Sequence, residues 1–236
     1  MTLRLAVFAS GGGTNLQSLI DHFNTRQDDG RNAVARVVLV ISDREDAGAL
    51  DRARRANVDT VVIPVSGRPI DFVARETLAS LESADVDLIA LAGYLRLVPP
   101  AVVRHFRNRM LNIHPALLPS FGGKGMFGIR VHRAVLAAGA TISGPTVHLV
   151  DERYDEGRIV AQWPVPVLRD DTPESLAKRV LAVEHQLYPV AIEAFARALA
   201  ESSDQTGFAA GEASFAWSEG TAIPVSADFR KAFQLD

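Results

Sequence analysis

Residues 111–118 read Leu111-Asn112-Ile113-His114-Pro115-Ala116-Leu117-Leu118 and bring an amide and an imidazole within two positions of each other. On a strand, the period of two puts Asn112 and His114 on one face, and Pro115 then forces His114 out of helical geometry and ends the strand. Side by side, the two groups can donate two hydrogen bonds to one developing oxyanion, and an imidazole with an ordinary pKa of ~6.5 can carry charge. A lone Asn-x-His is more often a polar strand end satisfied by its own backbone, and the flanking prolines favour chemistry only modestly.

A second candidate is the acidic stretch Asp151-Glu152-Arg153-Tyr154-Asp155-Glu156-Gly157-Arg158. Asp151, Glu152 and Glu156 read as a solvated hairpin loop, whereas Asp155, ahead of Glu156-Gly157, is best placed to turn inward. His148 alternates with Val147 and Leu149 and shares a face with Thr146. His22 falls on a polar helix face, and His105 and His132 have no obvious partner. No His/Asp/Glu set has ligand spacing such as H-E-x-x-H, so no metal is expected.

The third candidate is Ser10-Gly11-Gly12-Gly13-Thr14-Asn15-Leu16. It fails the dinucleotide fingerprint G-x-G-x-x-G because Leu16 stands where the last glycine belongs, and it fails the Walker A loop because Gly13, not lysine, precedes Thr14. What remains is a strand, a glycine turn and a helix start, which offers unpaired N–H groups and the positive end of a helix dipole to an anion. A monophosphate suits it better than a dinucleotide. A tight turn needing positive φ would explain one glycine well and three poorly.

These stretches need elements to hold them. Nearly continuous apolar runs at residues 3–9, 35–41, 60–65, 86–92 and 109–113 read as strands covered on both faces. Between them Leu16, Leu19, Ile20 and Phe23 form one helical stripe, with weaker patterns at 47–56 and 72–81. Strand and helix alternating from the start predict an α/β, Rossmann-like, doubly wound sheet that is mostly parallel, with ligands at the carboxyl ends of its strands. Residues 144–150 and 159–167 then read as an antiparallel pair. Thr172, Pro173 and Glu174 open a long helix running to residue 200, with Thr172 as N-cap. Residues 201–213 read as a linker and 215–224 as a hairpin packed on the same body.

The chain has 236 residues, a formal net charge of −3 and no cysteine. That balance gives no electrostatic reason to expect nucleic acid or an anionic membrane as partner. No segment approaches the ~20 apolar residues of a membrane helix, and the absence of cysteine fits a reducing compartment, with cytoplasm as the default. Small-molecule substrates are expected, with the protein a monomer or homodimer.

Together with Leu91-Ala92-Gly93-Tyr94-Leu95-Arg96, residues 144–150 and Val183-Glu184-His185, these motifs resemble, in order, the phosphoribosylglycinamide formyltransferase family over residues 5–200. The resemblance implies transfer of a formyl group from the cosubstrate 10-formyltetrahydrofolate to the glycine amine of a ribonucleotide in purine synthesis, by a formyltransferase domain at 1–200 with 201–236 as its appendage. The family's catalytic trio falls on Asn112, His114 and Asp155, with protonated His114 kept charged by Asp155. Its ribonucleotide contacts fall on Gly13, Thr14, Asn15 and Glu184. Folate contacts fall on Arg68, Leu95, Arg96, Leu97, Val98, Asn112, Asp151 and Asp155. The stretch 120–133 departs from the family in being longer and rich in glycine, and is either a mobile lid or a loop of solvated charges. A hydrolase or transfer-RNA relative, which would carry further domains, is the nearest alternative. A non-catalytic phosphosugar-binding protein would be expected to lack one of the trio. A dehydrogenase is disfavoured by Leu16 and by the lack of a convincing ribose-binding acid after the second strand.

Overall fold

A computed structural model of the chain describes residues 2–24 and 33–203. Its main sheet has seven strands, in the spatial order 59–62, 35–42, 3–8, 88–91, 110–114, 146–149 and 159–162. The parallel part is β1 (Leu3–Phe8), β2 (Ala35–Ser42), β3 (Asp59–Val62), β4 (Leu88–Leu91) and β5 (Met110–His114). Helices α1 (Thr14–Phe23), α2 (Gly48–Arg55), α3 (Ile70–Ser83) and α4 (Pro100–His105) connect these strands. This is the expected alternation, with α4 a short addition opened by two prolines that supply its first-turn geometry.

The strands are apolar on both sides because both sides are covered. Leu5 and Val7 face a core shared with α1 and α2, while Ala6 and Phe8 face a second core shared with α3 and α4. Helices α5 (Ile129–Ala137) and α6 (Pro173–Ser203) extend the first core through Val131, Val135, Leu176, Val180 and Leu187. The fully buried Tyr188 hydroxyl lies 3.0 Å from both Leu91 O and Leu111 O, tying α6 to β4 and β5.

The antiparallel portion is more divided than its hydropathy suggests. Residues 144–150 contribute only β7 (Thr146–Leu149), after a break at Gly144-Pro145 that separates it from β6 (Ile142–Ser143). Residues 159–167 likewise split into β8 (Ile159–Gln162), which joins β7, and β9 (Val165–Pro166), which pairs with β6 in a separate two-stranded sheet. Pro164 and Pro166 have no N–H to donate, which explains why one continuous ladder does not form. Thr172 caps α6 as expected, its Oγ1 accepting from Ser175 N at 3.2 Å. The helix continues to Ser203, past the expected end at residue 200. The expected linker beyond 203 and the 215–224 hairpin lie outside the described residues.

Candidate active site

The carboxyl ends of β4 and β5 open into a cleft of about 370 Å³, where a doubly wound sheet places its ligands. Asn112 and His114 share a face of β5, as the period of two predicts. Antiparallel β7 sets His148 opposite Asn112 and Thr146 opposite His114. His148 Nδ1 lies 2.9 Å from Leu149 O, a contact that needs a hydrogen on that nitrogen. Its Nε2 lies 3.0 Å from Asn112 Nδ2, so the imidazole fixes where the amide sits. The second N–H of Asn112 is left for a ligand.

Asp155 turns inward, as expected from its place ahead of Glu156-Gly157. Its φ is +58°, a left-handed conformation uncommon for a side chain other than glycine. Gly157 makes the turn possible, because a Cβ there would lie 1.7 Å from Leu149 O. The carboxylate accepts from Gly123 N at 2.9 Å and lies 3.5 Å from His114 Nδ1 and 3.6 Å from His148 Nε2. Burial pushes Asp155 up, but the His148 contact, the His114 charge and the Gly123 N–H outweigh it and hold the group below its ordinary value.

His114 departs from expectation. Burial lowers its pKa below the ordinary 6.5 despite Asp155 and the Phe121 carbonyl, which raise it, and nearby His148 adds to the lowering. The physical reason is geometric as well, since 3.5 Å is too long for a strong charge-assisted bond. Its Nε2 instead donates to Phe121 O at 2.9 Å, so the glycine-rich stretch supplies a direct partner to the site.

The glycine turn after β1 behaves as a shaped loop. Gly13 has φ +72°, and a Cβ there would lie 2.6 Å from Ala49 Cα, whereas Cβ atoms at Gly11 and Gly12 would meet nothing within 4 Å. Open space beside the start of α1 is what an anion needs. Arg52 closes the loop from α2, its Nε donating to Gly12 O at 2.7 Å, and brings a positive charge. Asn15 Nδ2 donates to Glu184 Oε2 at 2.6 Å. Burial drives Glu184 up to about 7, the Asn15 bond opposing it.

Of the expected ligand contacts, Asn15, Leu95, Arg96, Leu97, Val98, Asp151 and Glu184 line the cleft with the trio, whereas Gly13 and Thr14, which precede Asn15 in the chain, are not among its lining residues. Arg68 does not reach it. Its guanidinium is held by Glu76 Oε2 at 2.7 Å and Pro64 O at 2.9 Å, so two local acceptors fix it outside the lining residues. An acid does directly follow β2, but Asp43 accepts from Arg96 Nε at 2.8 Å and its carboxylate is engaged there. His148, His132, Arg52 and the Phe121 carbonyl were not found by sequence reasoning. His148 had a usable signal in its shared face with Thr146. Among the described residues no group of three His, Asp or Glu is arranged to hold a metal ion, and no helix is long and apolar enough to cross a membrane.

Residues 3–192 match the formyl transferase family. The chain is 48% identical over 187 residues to the phosphoribosylglycinamide formyltransferase, chloroplastic, of Arabidopsis thaliana, covering 78% of this chain and 62% of that one. It therefore spans about three fifths of that relative's length. Among solved structures, glycinamide ribonucleotide transformylase 1 from Symbiobacterium toebii superposes with a TM-score of 0.75 at 44% identity, covering 83% of this chain and 88% of that chain. The phosphoribosylglycinamide formyltransferase of Brucella melitensis gives 0.74 at 41%, covering 83% and 96%. With its fold shared and residues 3–192 matching, the chain belongs to the formyl transferase family.

Proposed function

We propose that this protein transfers a formyl group from 10-formyltetrahydrofolate to the glycine amine of 5'-phosphoribosylglycinamide, in purine nucleotide synthesis. The observation that carries this reading is the meeting of Asn112, His114 and Asp155 in one cleft beside the Asn15–Glu184 pair. The names of the relatives point to the same reaction.

Gly13, Thr14 and Asn15 hold the phosphate at the start of α1, where unpaired N–H groups and the helix dipole favour an anion. Glu184 meets the ribose. Apolar Leu95, Leu97 and Val98, with Asp151 at the edge, suit a flat heteroaromatic ring that has polar edges. The amine nitrogen bonds to the formyl carbon, the bond from that carbon to the folate nitrogen breaks, and one proton passes from the amine to the leaving nitrogen. Asn112 donates its free N–H to the oxygen that gathers negative charge between these steps. His114 turns its Nε2–H from Phe121 O to the same oxygen. The developing anion raises the imidazole's affinity for a proton, and Asp155, held ionised, stabilises the imidazolium and helps relay the proton.

All three groups come from one chain, so a monomer or a homodimer has complete sites. The lack of cysteine supports a reducing compartment, which we take to be the cytoplasm. Carbon-13 in the formyl group of the cosubstrate tests the reaction. Label appearing in the formamide of the ribonucleotide, with tetrahydrofolate released in step, is expected. Label released as formate without the ribonucleotide would identify a hydrolase instead.

A further inference from the structure

His132 lines the cleft from α5, is 4% exposed, and takes no part in the mechanism above. Its Nδ1 is sealed from solvent with no hydrogen-bond partner, which leaves Nε2 as the ring nitrogen that faces the cleft. A buried N–H without an acceptor costs more than a bare lone pair, so the ring hydrogen sits on Nε2 and points toward the ligand space. Burial, assisted by the neighbouring His114, lowers the imidazole's pKa to about 4, so it is a neutral donor at pH 7.

Position selects what it meets. His132 belongs to the helices covering the first face of the sheet, which also carry Asn15 and Glu184, whereas Val98 beside the folate segment packs into the core on the other face. With the phosphate held at residues 13–15, the ribose turned to Glu184 and the amine brought to Asn112, the strongest neutral acceptor left between them is the amide carbonyl of the glycinamide. We propose that His132 is a specificity-determining residue that donates its Nε2–H to the carbonyl oxygen of the glycinamide unit. The inference rests on the formyltransferase reading.

Titration calorimetry of the full chain with the ribonucleotide separates the two. The wild type binding no ribonucleotide would overturn that reading and this inference together. His132→Phe keeps a ring in the site and removes the unpartnered buried nitrogen, so it should fold with at least the parent stability yet bind the ribonucleotide about 3- to 10-fold more weakly, the loss of one neutral hydrogen bond. His132→Gln, with an N–H at similar reach, should recover most of that loss. An analogue with a methylene in place of the carbonyl should bind wild type and His132→Phe equally. In turnover, the loss should fall on KM for the ribonucleotide with kcat within about twofold, as for an interaction equal in ground and transition states. An unchanged Kd in His132→Phe, a loss confined to kcat, or an analogue that still discriminates between the two proteins would overturn the inference.

Discussion

Replacing Glu184 by Gln separates the cost of burying a carboxylate from its use in binding. Glu184 is 7% exposed, and burial lifts its pKa from 4.5 to about 7 against the opposing hydrogen bond from Asn15. Below pH 4.5 the group is protonated in folded and unfolded chains alike and contributes nothing. Between pH 4.5 and 7 the unfolded chain gives up its proton while the folded chain keeps it, so stability falls as pH rises. Above pH 7 the penalty is complete, about 3 kcal/mol at ~1.4 kcal/mol per decade of affinity. Gln has the same shape and no charge, so Glu184→Gln should match the parent at pH 4.5 and exceed it by up to about 3 kcal/mol at pH 8. At about 2 to 4 °C per kcal/mol for a chain of this size, that is about 6 to 12 °C in Tm. Scanning calorimetry at the two pH values reads it directly. The stabilised protein should bind the ribonucleotide about tenfold more weakly, because a charge-assisted acceptor is gone. A Tm difference independent of pH would refute the reasoning.

Two further substitutions test the scaffold behind the site. Gly157→Ala places a Cβ against the Leu149 carbonyl, so the turn must shift and carry Asp155 with it. Turnover should fall about 10²-fold, the usual consequence of misplacing a catalytic group by about 1 Å; undiminished turnover would show that the turn does not set Asp155. Tyr188→Phe removes the donor shared by Leu91 O and Leu111 O and should cost about 1 to 3 kcal/mol in denaturant unfolding. A loss below about 0.3 kcal/mol would mean that these carbonyls find other partners.

The parallel half of the fold is legible in the sequence because its strands are buried on both faces, so they read as apolar runs. The antiparallel half is less so. There the hydropathy of 159–167 hides Pro164 and Pro166, and hydropathy does not count backbone donors. Helix α5 begins behind a stretch of glycines and a left-handed Gly128, so its apolar positions Val131 and Val135 look isolated until packed. At the site, period and proline put Asn112 and His114 on one face, but their role, like that of Glu184, becomes visible only through the family resemblance. The Phe121 carbonyl is not visible by any pattern, because it is a backbone group aimed by the fold of its loop. Arg68 shows the converse, a plausible cation that local acceptors Glu76 and Pro64 keep outside the cleft. The direction in which His114 shifts also escapes sequence, since burial is its largest cause.

The most direct test of the central claim is steady-state kinetics of Asn112→Ala with both substrates varied. Removing one oxyanion donor should lower kcat by about 10² to 10³ while both KM values stay within about threefold, because Asn112 acts on charge that exists only in the transition state. A kcat within threefold of the parent, or a loss confined to KM, would contradict the placement of the oxyanion at Asn112.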